Sequence, residues 1–359
     1  MGLYTFGMTE EALQTDARLG RALLALRESR GVLSARAWAA AAGVAAGGVW
    51  KLAEELRAMG VEVAGSAAEG YRLAGEADLA LPEVLEPMIA DTIFAGRVRH
   101  FLKIGSTNAA AMRAGAEGLA HGGESQNAAQ SADQNAGRGA VWLAEEQTAG
   151  KGRAGHAWKS NPRDGIYCSA LLRPKVAPED VIILSLAAGL AVVEAVHEVT
   201  GLWGDLRWPN DVLLGGRKFC GILTELNAEV ARVRYVVVGV GLNVNNTEFP
   251  PELEAIATSL YLEAGQRFSR VELVAALLRA LDREQAALSD GTRTGVTAAR
   301  QRILRRFEQH SSYCRSCAVA VEEDGGYEGV TRGLDDRGFL RVETAHGTRT
   351  VLSGGVRKR

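Results

Sequence analysis

The chain has 359 residues, and its composition already excludes several classes of protein. Hydrophobic residues make up 47% and charged residues 23%, as in ordinary globular proteins, which excludes wholesale disorder. The 41 Lys and Arg residues nearly balance the 43 Asp and Glu residues, so any surface for nucleic acid or membrane must be local. At roughly 100–200 residues per domain, the length predicts two or three domains.

The sequence predicts a cytoplasmic protein. Its first residues lack a basic stretch followed by an apolar one, so they do not have the pattern of a secretory signal. No run of about 18 apolar residues predicts a membrane span. Four cysteines are too few for a disulfide framework, so we expect reduced thiols and no membrane partner.

The N-terminal part has the pattern of a winged helix-turn-helix, to which we assign residues 1–80. Apolar residues recur at helical spacing over 16–30, and further helices are predicted over 34–42 and 45–59. Residues 61–73 then predict two short strands around a turn of small residues. Three helices followed by a hairpin are typical of a winged helix.

A mixed α/β pattern follows, and we assign residues 81–311 to a catalytic domain. Ser269 and Glu272 have capping-box spacing at the start of one predicted helix. The predicted strands cover residues 98–104, 140–146, 165–173, 206–214, 219–227 and 234–241. The predicted helices include residues 107–114, 179–200 and 270–288.

Two further segments have patterns of their own. Residues 114–139 contain no aromatic or β-branched residue and cannot bury enough surface to offset their ordering entropy. We therefore predict a flexible surface insertion there, with a functional lid as the alternative. Residues 312–359 show short alternating runs separated by glycine turns, which predict a small five-stranded SH3-like barrel.

A glycine-rich loop at 144–163 carries the strongest chemical signal. Three glycines alternate there with basic residues, in the sequence Gly150-Lys151-Gly152-Arg153-Ala154-Gly155-His156. Glycine lets the backbone approach a ligand closely, and the cations neutralise an anion, so the loop suits a phosphate or carboxylate. The spacing matches neither a Walker A loop nor a dinucleotide-binding fingerprint. Taken alone, the loop is also consistent with a mobile basic segment.

Three shorter motifs are weaker when taken singly. In RWPND at 207–211, an Asp beside cations can hold Mg²⁺ or orient a basic side chain, although Asn-Asp is common in ordinary turns. A buried strand at 236–246 ends in the sequence GVGLNVNN. GSTN at 105–108 offers hydroxyl donors to a neutral ligand, or simply caps the following helix.

Together, GSTN, QTAGKGRAGHAW, RWPND, RKFCGIL and GVGLNVN resemble the motifs of biotin–protein ligases, most of all the bifunctional bacterial type that also represses the biotin operon. The likeness runs from about residue 16 to 359. It implies a multidomain α+β protein with a winged helix-turn-helix, a class II synthetase-like catalytic domain of the biotin/lipoate ligase type and an SH3-like barrel. It also implies ATP and Mg²⁺ as cofactors, with biotin as the substrate.

In this family, biotin and ATP form biotinyl-5′-AMP, and the biotinyl group passes to a lysine of a carrier domain, usually of acetyl-CoA carboxylase. Matching positions imply a role for each residue here. The catalytic cations are Lys151, Arg153 and Lys218. The biotin-binding residues are Ser106, Thr107, Asn108, Gln147, Gly150, Lys151, Arg153, Lys218, Gly221, Leu223 and Gly239. The ATP-binding residues are Arg153, Gly155, Trp158, Arg207, Asn210, Asp211 and Asn243, and Asp211 is the candidate Mg²⁺ ligand.

Three positions depart from the family pattern. Arg207 stands where many members have Lys, which keeps the charge but changes its geometry. Ala154 and His156 stand where the repressor type has arginines, so two cations that would hold the adenylate are missing.

The resemblance also implies operator DNA as a partner and a homodimer when the adenylate is bound. Residues 16–75 carry eight Lys and Arg residues and six acidic residues, a net charge of +2. Ala45 and Ala46 replace the hydroxyl residue and Arg that open the family's recognition helix, so we predict weak DNA binding, with Lys51 and Arg36 as candidate contacts. The alternatives are a lipoate–protein ligase, or a biotin-sensing DNA-binding regulator with little ligase activity.

Overall fold

The fold is described from a computed structural model of residues 13–359, apart from residues 15, 30, 76, 122–138, 175, 231, 290 and 291. The helices of this part of the chain are α1 (Ala17–Ser29), α2 (Ala35–Ala42), α3 (Val49–Ala58), α4 (Pro82–Ile89), α5 (Thr107–His121), α6 (Ile182–Thr200), α7 (Pro251–Glu254), α8 (Leu260–Ala264), α9 (Arg270–Leu288) and α10 (Arg293–Gln309). Its strands are β1 (Leu13–Gln14), β2 (Val63–Ser66), β3 (Gly70–Leu73), β4 (Val98–Lys103), β5 (Ala140–Ala144), β6 (Gly165–Leu172), β7 (Asp205–Arg207), β8 (Asp211–Leu214), β9 (Arg217–Glu229), β10 (Arg232–Asn243), β11 (Arg315–Val321), β12 (Tyr327–Leu334), β13 (Leu340–Thr344), β14 (Gly347–Val351) and β15 (Val356–Lys358).

The N-terminal unit consists of the three predicted helices and the hairpin β2–β3. The Ser34 hydroxyl caps α2 by accepting a hydrogen bond from the Ala37 amide at 3.2 Å, and Gly43 ends that helix with a φ of 72°. The third helix begins later than predicted, because residues 46–48 form a 3-10 turn and α3 starts at Val49. Two consecutive glycines in that turn are poor helix formers, which accounts for the difference.

An eight-stranded sheet forms the centre of the molecule, in the order β1-β4-β5-β6-β10-β9-β8-β7. Only the β4–β5 pair in this sheet is parallel. Helices α6 and α9 pack on one face, and α5 packs on the other over a separate apolar cluster that includes Trp142 and Tyr235. The predicted cap of α9 is confirmed, since the Ser269 hydroxyl accepts from the Glu272 amide at 3.2 Å.

Within the described residues, one helical stretch at 178–200 is long and apolar enough to cross a membrane by length and composition alone. Most of it is buried between the sheet and the helices α9 and α10. A helix that is apolar on all sides is expected at such a position in a large core.

Two predicted elements of the catalytic region need correction. Residues 206–214 are not one strand but the hairpin β7–β8, because Pro209 cannot donate a ladder hydrogen bond and the chain turns there. The helix predicted over 107–114 continues to His121, so the first part of the predicted insertion belongs to α5. The good helix formers Ala114, Ala116 and Glu117 explain that extension. Residues 122–138 lie outside the described part of the chain.

The C-terminal segment forms the five predicted strands, in the order β14-β13-β12-β11-β15. The indole of Trp208, from the β7–β8 turn, donates to the Gly338 carbonyl at 2.9 Å and is almost fully buried. This contact anchors the C-terminal sheet directly to the central sheet.

Candidate functional site

A cleft with about 440 Å³ of open space lies where the start of α5, the glycine-rich loop, the β7–β8 turn and the strands β6, β9 and β10 meet. It contains most of the residues that the family resemblance singled out. Its lining consists of Ser106, Thr107, Asn108, Gln147, Lys151, Gly152, Arg153, Trp158, Tyr167, Cys168, Ser169, Asn210, Lys218, Gly221, Ile222, Leu223, Gly239, Val240 and Gly241.

The GSTN segment supplies neutral hydrogen-bonding groups to one end of the cleft. The Ser106 hydroxyl accepts from the Ala109 amide at 3.4 Å, so this residue both caps α5 and lines the cleft. The Thr107 amide donates to Gln147 Oε1 at 2.9 Å. Asn108 is buried, and its Nδ2 donates to Glu225 Oε2 at 2.9 Å. The two interpretations of GSTN, a helix cap or a ligand site, are therefore compatible.

Ser169 on β6 belongs to the same polar group, and the sequence analysis missed it. Its hydroxyl lies 2.7 Å from Thr107 Oγ1 and 2.5 Å from Asn108 Oδ1, and the residue is fully buried. The signal was present, since Ser169 carries the one aliphatic hydroxyl of the otherwise mostly apolar strand GIYCSALL. A buried hydroxyl needs hydrogen-bond partners, and on a strand buried on both faces these partners indicate a polar binding site.

Three glycines of β9 and β10 make room for side chains above them. A Cβ on Gly239 would lie 2.0 Å from Asn108 Oδ1. Gly221 and Gly241 are cross-strand partners, and a Cβ on either would lie within 3 Å of the Trp158 indole. The GxG pattern in β10 is therefore a requirement for space, one glycine for Asn108 and the other for Trp158.

The glycine-rich loop folds back on itself over the cleft. The Gly152 amide donates to the His156 carbonyl at 2.7 Å, and the Trp158 amide donates to the Gly150 carbonyl at 2.9 Å. Ala154 occupies the left-handed region with a φ of 53°, which is uncommon for a residue other than glycine. Lys151 and Arg153 line the cleft, whereas Ala154 and His156 are exposed outside its lining.

Two residues of the RWPND motif, Asn210 and Trp208, connect the central sheet to different parts of the molecule. Asn210 Oδ1 accepts from Arg153 Nη1 at 3.0 Å, while its Nδ2 donates to the Ile222 carbonyl at 2.8 Å. Trp208 anchors the C-terminal sheet, as described above. The motif therefore fixes one cation of the glycine-rich loop against the central sheet. Burial lowers the pKa of Arg153.

Lys218 points into the cleft and is held by Asp211. Its Nζ lies 2.5 Å from Asp211 Oδ1, and Arg207 Nη2 donates to Asp211 Oδ2 at 2.7 Å. Burial opposes the ionisation of Asp211, but Lys218 and Arg207 together hold its pKa below the ordinary value. Lys218 also lies 5.4 Å from the centre of the Trp158 ring. An incoming anion at Lys218 would therefore find Asp211 already neutralised by Arg207.

The geometry around Asp211 does not fit a Mg²⁺ ligand. Each of its carboxylate oxygens already faces a cation, Lys218 or Arg207. Nor do the described residues contain any group of three or more His, Cys, Asp or Glu side chains that could hold a metal ion. Asp211 therefore pairs with the cations of the cleft rather than with a metal ion.

Some implied residues lie beside the cleft rather than in its lining. A Cβ on Gly150 would lie 2.5 Å from the Trp158 carbonyl, so this glycine allows the loop to close. Asn243 is buried and donates to the Thr258 carbonyl at 3.1 Å, away from the lining. Gly155 has open space around it and a φ of 79°, and Arg207 reaches the cleft only through Asp211.

Two parts of the chain match known protein families. Residues 124–243 match the Biotin/lipoate A/B protein ligase family, and residues 315–359 match the Biotin protein ligase C terminal domain. The bifunctional ligase/repressor BirA of Bacillus subtilis is 32% identical over 86% of this chain and 88% of that protein. The chain belongs to the biotin protein ligase family. The biotin--[acetyl-CoA-carboxylase] ligase of Mycobacterium tuberculosis is 36% identical over 61% of this chain and 78% of its own.

The solved biotin protein ligase of Aquifex aeolicus, in complex with biotin and ATP, superimposes on this ligase with a TM-score of 0.57. The two chains are 26% identical, and the match covers 74% of this chain and 99% of the other. The central catalytic fold of a biotin protein ligase is therefore present here.

A buried charge network behind the cleft of this ligase was not predicted. Glu145 at the end of β5 accepts from Arg270 Nη1 at 2.7 Å and lies 2.9 Å from His100 Nε2. Arg270 Nε also donates to Asp78 Oδ2 at 2.9 Å, which ties the chain after the N-terminal hairpin to α9. Burial raises the pKa of Glu145, but Arg270 and His100 outweigh it and lower that pKa to about 2. These residues are distant in sequence, so only the fold reveals the network.

The predicted DNA contacts lie on the N-terminal unit of the ligase. Arg36 on α2 is exposed. Lys51 on α3 is exposed and lies 3.8 Å from Glu55, while Arg57 pairs with Glu54 at 2.6 Å and donates to the Val63 carbonyl. The two cations of α3 are thus engaged by groups of their own unit.

Proposed function

We propose that the protein is a biotin–protein ligase that forms biotinyl-5′-AMP from biotin and ATP and then biotinylates a lysine of a carrier domain. The observation that carries the proposal is the composition of one cleft. Neutral donors and acceptors around Thr107 suit an uncharged polar ring, whereas Lys151, Arg153 and Lys218 suit a carboxylate beside a polyphosphate.

In the first step, a carboxylate oxygen of biotin attacks the α-phosphorus of ATP. A new P–O bond forms, the bond to the β-phosphate bridging oxygen breaks, and pyrophosphate leaves. Both reactants are anions, so the cleft must reduce their repulsion. We assign that role to Lys218 for the carboxylate and to Arg153, held by Asn210, for the phosphate.

In the second step, the amine of a carrier lysine attacks the acyl carbon of the mixed anhydride and AMP leaves. The enzyme needs no nucleophile of its own for this transfer. It must instead keep water from the anhydride, and we assign that role to Trp158 and the folded glycine-rich loop. The name of the Mycobacterium tuberculosis relative supports acetyl-CoA carboxylase as the source of the carrier.

The deciding experiment measures biotin-dependent release of pyrophosphate, followed by transfer of labelled biotin to a carrier domain. We expect Lys218→Ala to lower kcat/KM by about 100-fold or more, the usual cost of removing one stabilising charge from an active site. Lys103→Ala is the matched control, because Lys103 is a surface lysine paired with Glu146. Full activity of Lys218→Ala, or a preference of the wild type for lipoate, would contradict the proposal.

We further propose that residues 1–80 form a winged helix-turn-helix, residues 81–311 the catalytic domain and residues 312–359 an SH3-like barrel, in a cytosolic protein. The name of the Bacillus subtilis relative supports a second role as a repressor. An adenylate-dependent homodimer through the catalytic sheet is supported by β9, which continues to Glu229 although its pairing with β8 ends at Gly221. Sedimentation with and without biotin and ATP tests the dimer.

A further inference from the structure

Asn108 is held in one orientation by a carboxylate outside the cleft lining. Its Nδ2 donates to Glu225 Oε2 at 2.9 Å and to the Leu223 carbonyl at 3.3 Å, and both of these partners are acceptors. The amide oxygen must therefore face the other way, toward Ser169 Oγ at 2.5 Å. Gly239 leaves room for that oxygen, since a Cβ at this position would lie 2.0 Å from it.

Gln147 is oriented in the same manner at the other end of the group. Its Nε2 donates to Ser160 Oγ at 3.0 Å, and its Oε1 accepts from the Thr107 amide at 2.9 Å. The oxygen Oε1 also lies 3.0 Å from Thr107 Oγ1. Asn108 and Gln147 thus present acceptors toward the two hydroxyls between them.

This group has one hydroxyl proton fewer than it has oxygen–oxygen contacts. Three oxygen–oxygen contacts join Asn108, Ser169, Thr107 and Gln147 in a row, at 2.5, 2.7 and 3.0 Å. The two hydroxyls supply one proton each, so one contact always lacks a hydrogen. An oxygen pair at such a distance without a proton between them is repulsive, and more so in a buried site. The row therefore has more acceptors than donors, and a ligand N–H group that donates to one of its oxygens would reduce this excess.

We propose that Glu225 is a positioning residue. By orienting Asn108, it makes the GSTN end of the cleft a hydrogen-bond acceptor and thereby selects a ring that carries N–H groups. This inference rests on the proposed function, since biotin carries a cyclic urea with two N–H groups. The dithiolane ring of lipoate has none. Without Glu225, Asn108 could turn its NH₂ group toward Ser169, and the site would no longer require a donor from the ligand.

The first test removes and then restores the acceptor at position 225. We expect Glu225→Ala to raise the KM for biotin about tenfold, with kcat within about twofold, because one charge-assisted hydrogen bond in ligand positioning is lost. Glu225→Gln retains an oxygen acceptor and should stay within about threefold of wild type. Glu229→Ala is the control, as Glu229 is exposed on the same strand and pairs with Arg234.

The second test exchanges the amide and the carboxylate between positions 108 and 225. Asn108→Asp places two carboxylates side by side and should raise the KM for biotin by more than about tenfold. Adding Glu225→Gln should recover part of that rise, because the introduced amide donates to one oxygen of the introduced carboxylate while the other oxygen still accepts from Ser169. Recovery is incomplete, because the Leu223 carbonyl then faces a carboxylate instead of an N–H donor. A purely structural role would change thermal stability and leave KM alone, so melting temperatures are recorded for all variants.

Wild-type pyrophosphate release with biotin and with lipoate is measured first, and its absence with biotin contradicts the proposed function itself. With an active wild type, an unchanged KM in Glu225→Ala overturns the positioning role. So does a folded Asn108→Asp/Glu225→Gln variant that shows no recovery. A fall in the preference for biotin over lipoate in Glu225→Ala supports it.

Discussion

At the scale of single residues, the cations of the cleft differ in what holds them. Lys218 is paired with Asp211, while Arg153 is held by the neutral amide of Asn210. The pair at Lys218 would compete with a substrate carboxylate if Asp211 had no other cation. Arg207 supplies that cation at 2.7 Å, which gives a physical role to the residue that replaces the usual lysine of the motif.

We therefore predict that Arg207→Gln raises the KM for biotin by about three- to tenfold, the cost of one partly buried charge contact. Asp211 would then depend on Lys218 alone and hold it away from the substrate. Arg207→Lys keeps the charge and should have a smaller effect. Steady-state pyrophosphate release measures both variants.

The matched control for Arg207 is Arg234→Gln, since Arg234 is exposed and paired with Glu229. If Arg207→Gln and Arg234→Gln have the same KM for biotin, Asp211 does not compete with the substrate carboxylate for Lys218.

At the scale of elements, the sequence predicted what depends on local patterns. The cap at Ser269, the two short strands of the hairpin and the alternating strands of the C-terminal unit all follow from spacing within a few residues. The broken strand at Pro209 is also a local effect, because proline cannot donate a hydrogen bond within a ladder, but the segment was assigned to one strand. The end of α5 was missed, although good helix formers continue beyond residue 114.

The cleft was predictable only where a family motif marked it. The contact of Gly239 with Asn108 joins two motifs 131 positions apart, and the register of β10 determines it. Ser169 lies in a strand without a distinctive motif, and Glu225 lies two residues beyond the motif RKFCGIL, so their partners emerge only once the sheet is assembled. Local periodicity carries no information about such contacts.

The network around Glu145 joins three elements, β4, β5 and α9, and predicts sensitivity to acid. The pKa of Glu145 is about 2 in the folded protein, below its ordinary value of 4.5. Its contribution to stability is therefore complete above about pH 5 and is lost as the pH falls toward 2. The shift corresponds to about 3 kcal/mol at neutral pH.

We expect the free energy of unfolding of the wild type to fall between pH 5 and pH 2.5, measured by urea denaturation. Glu145→Gln should be destabilised at pH 7 by about 3 kcal/mol, since it leaves Arg270 buried without that partner, and it should lose less on acidification. Glu229→Gln, an exposed site, should follow the wild type. Parallel pH curves for Glu145→Gln and wild type would contradict this assignment.

At the scale of the whole molecule, the three units are connected at defined residues. Trp208 joins the central sheet to the C-terminal sheet through Gly338, and Asp78 joins the segment after the hairpin to Arg270 of α9. Through Arg270, Asp78 is thus connected to Glu145, which lies two residues before Gln147 in the glycine-rich loop. The N-terminal unit is therefore packed against the catalytic region and shares its continuous apolar core.

The charge of the whole molecule leads to the last prediction, weak binding of DNA. The net charge is −2, and on α3 the exposed Lys51 and Arg57 face Glu55 and Glu54. Non-specific affinity depends on cations that are available to phosphates, so we expect only weak retardation of a biotin operon promoter fragment at micromolar protein in physiological salt with biotin and ATP. The variant Ala45→Thr/Ala46→Arg adds a hydroxyl and a cation at the 3-10 turn that precedes α3 and should bind more tightly, with a steeper dependence on salt. Tight, sequence-specific retardation by the unaltered protein would show that its DNA contacts come from another surface.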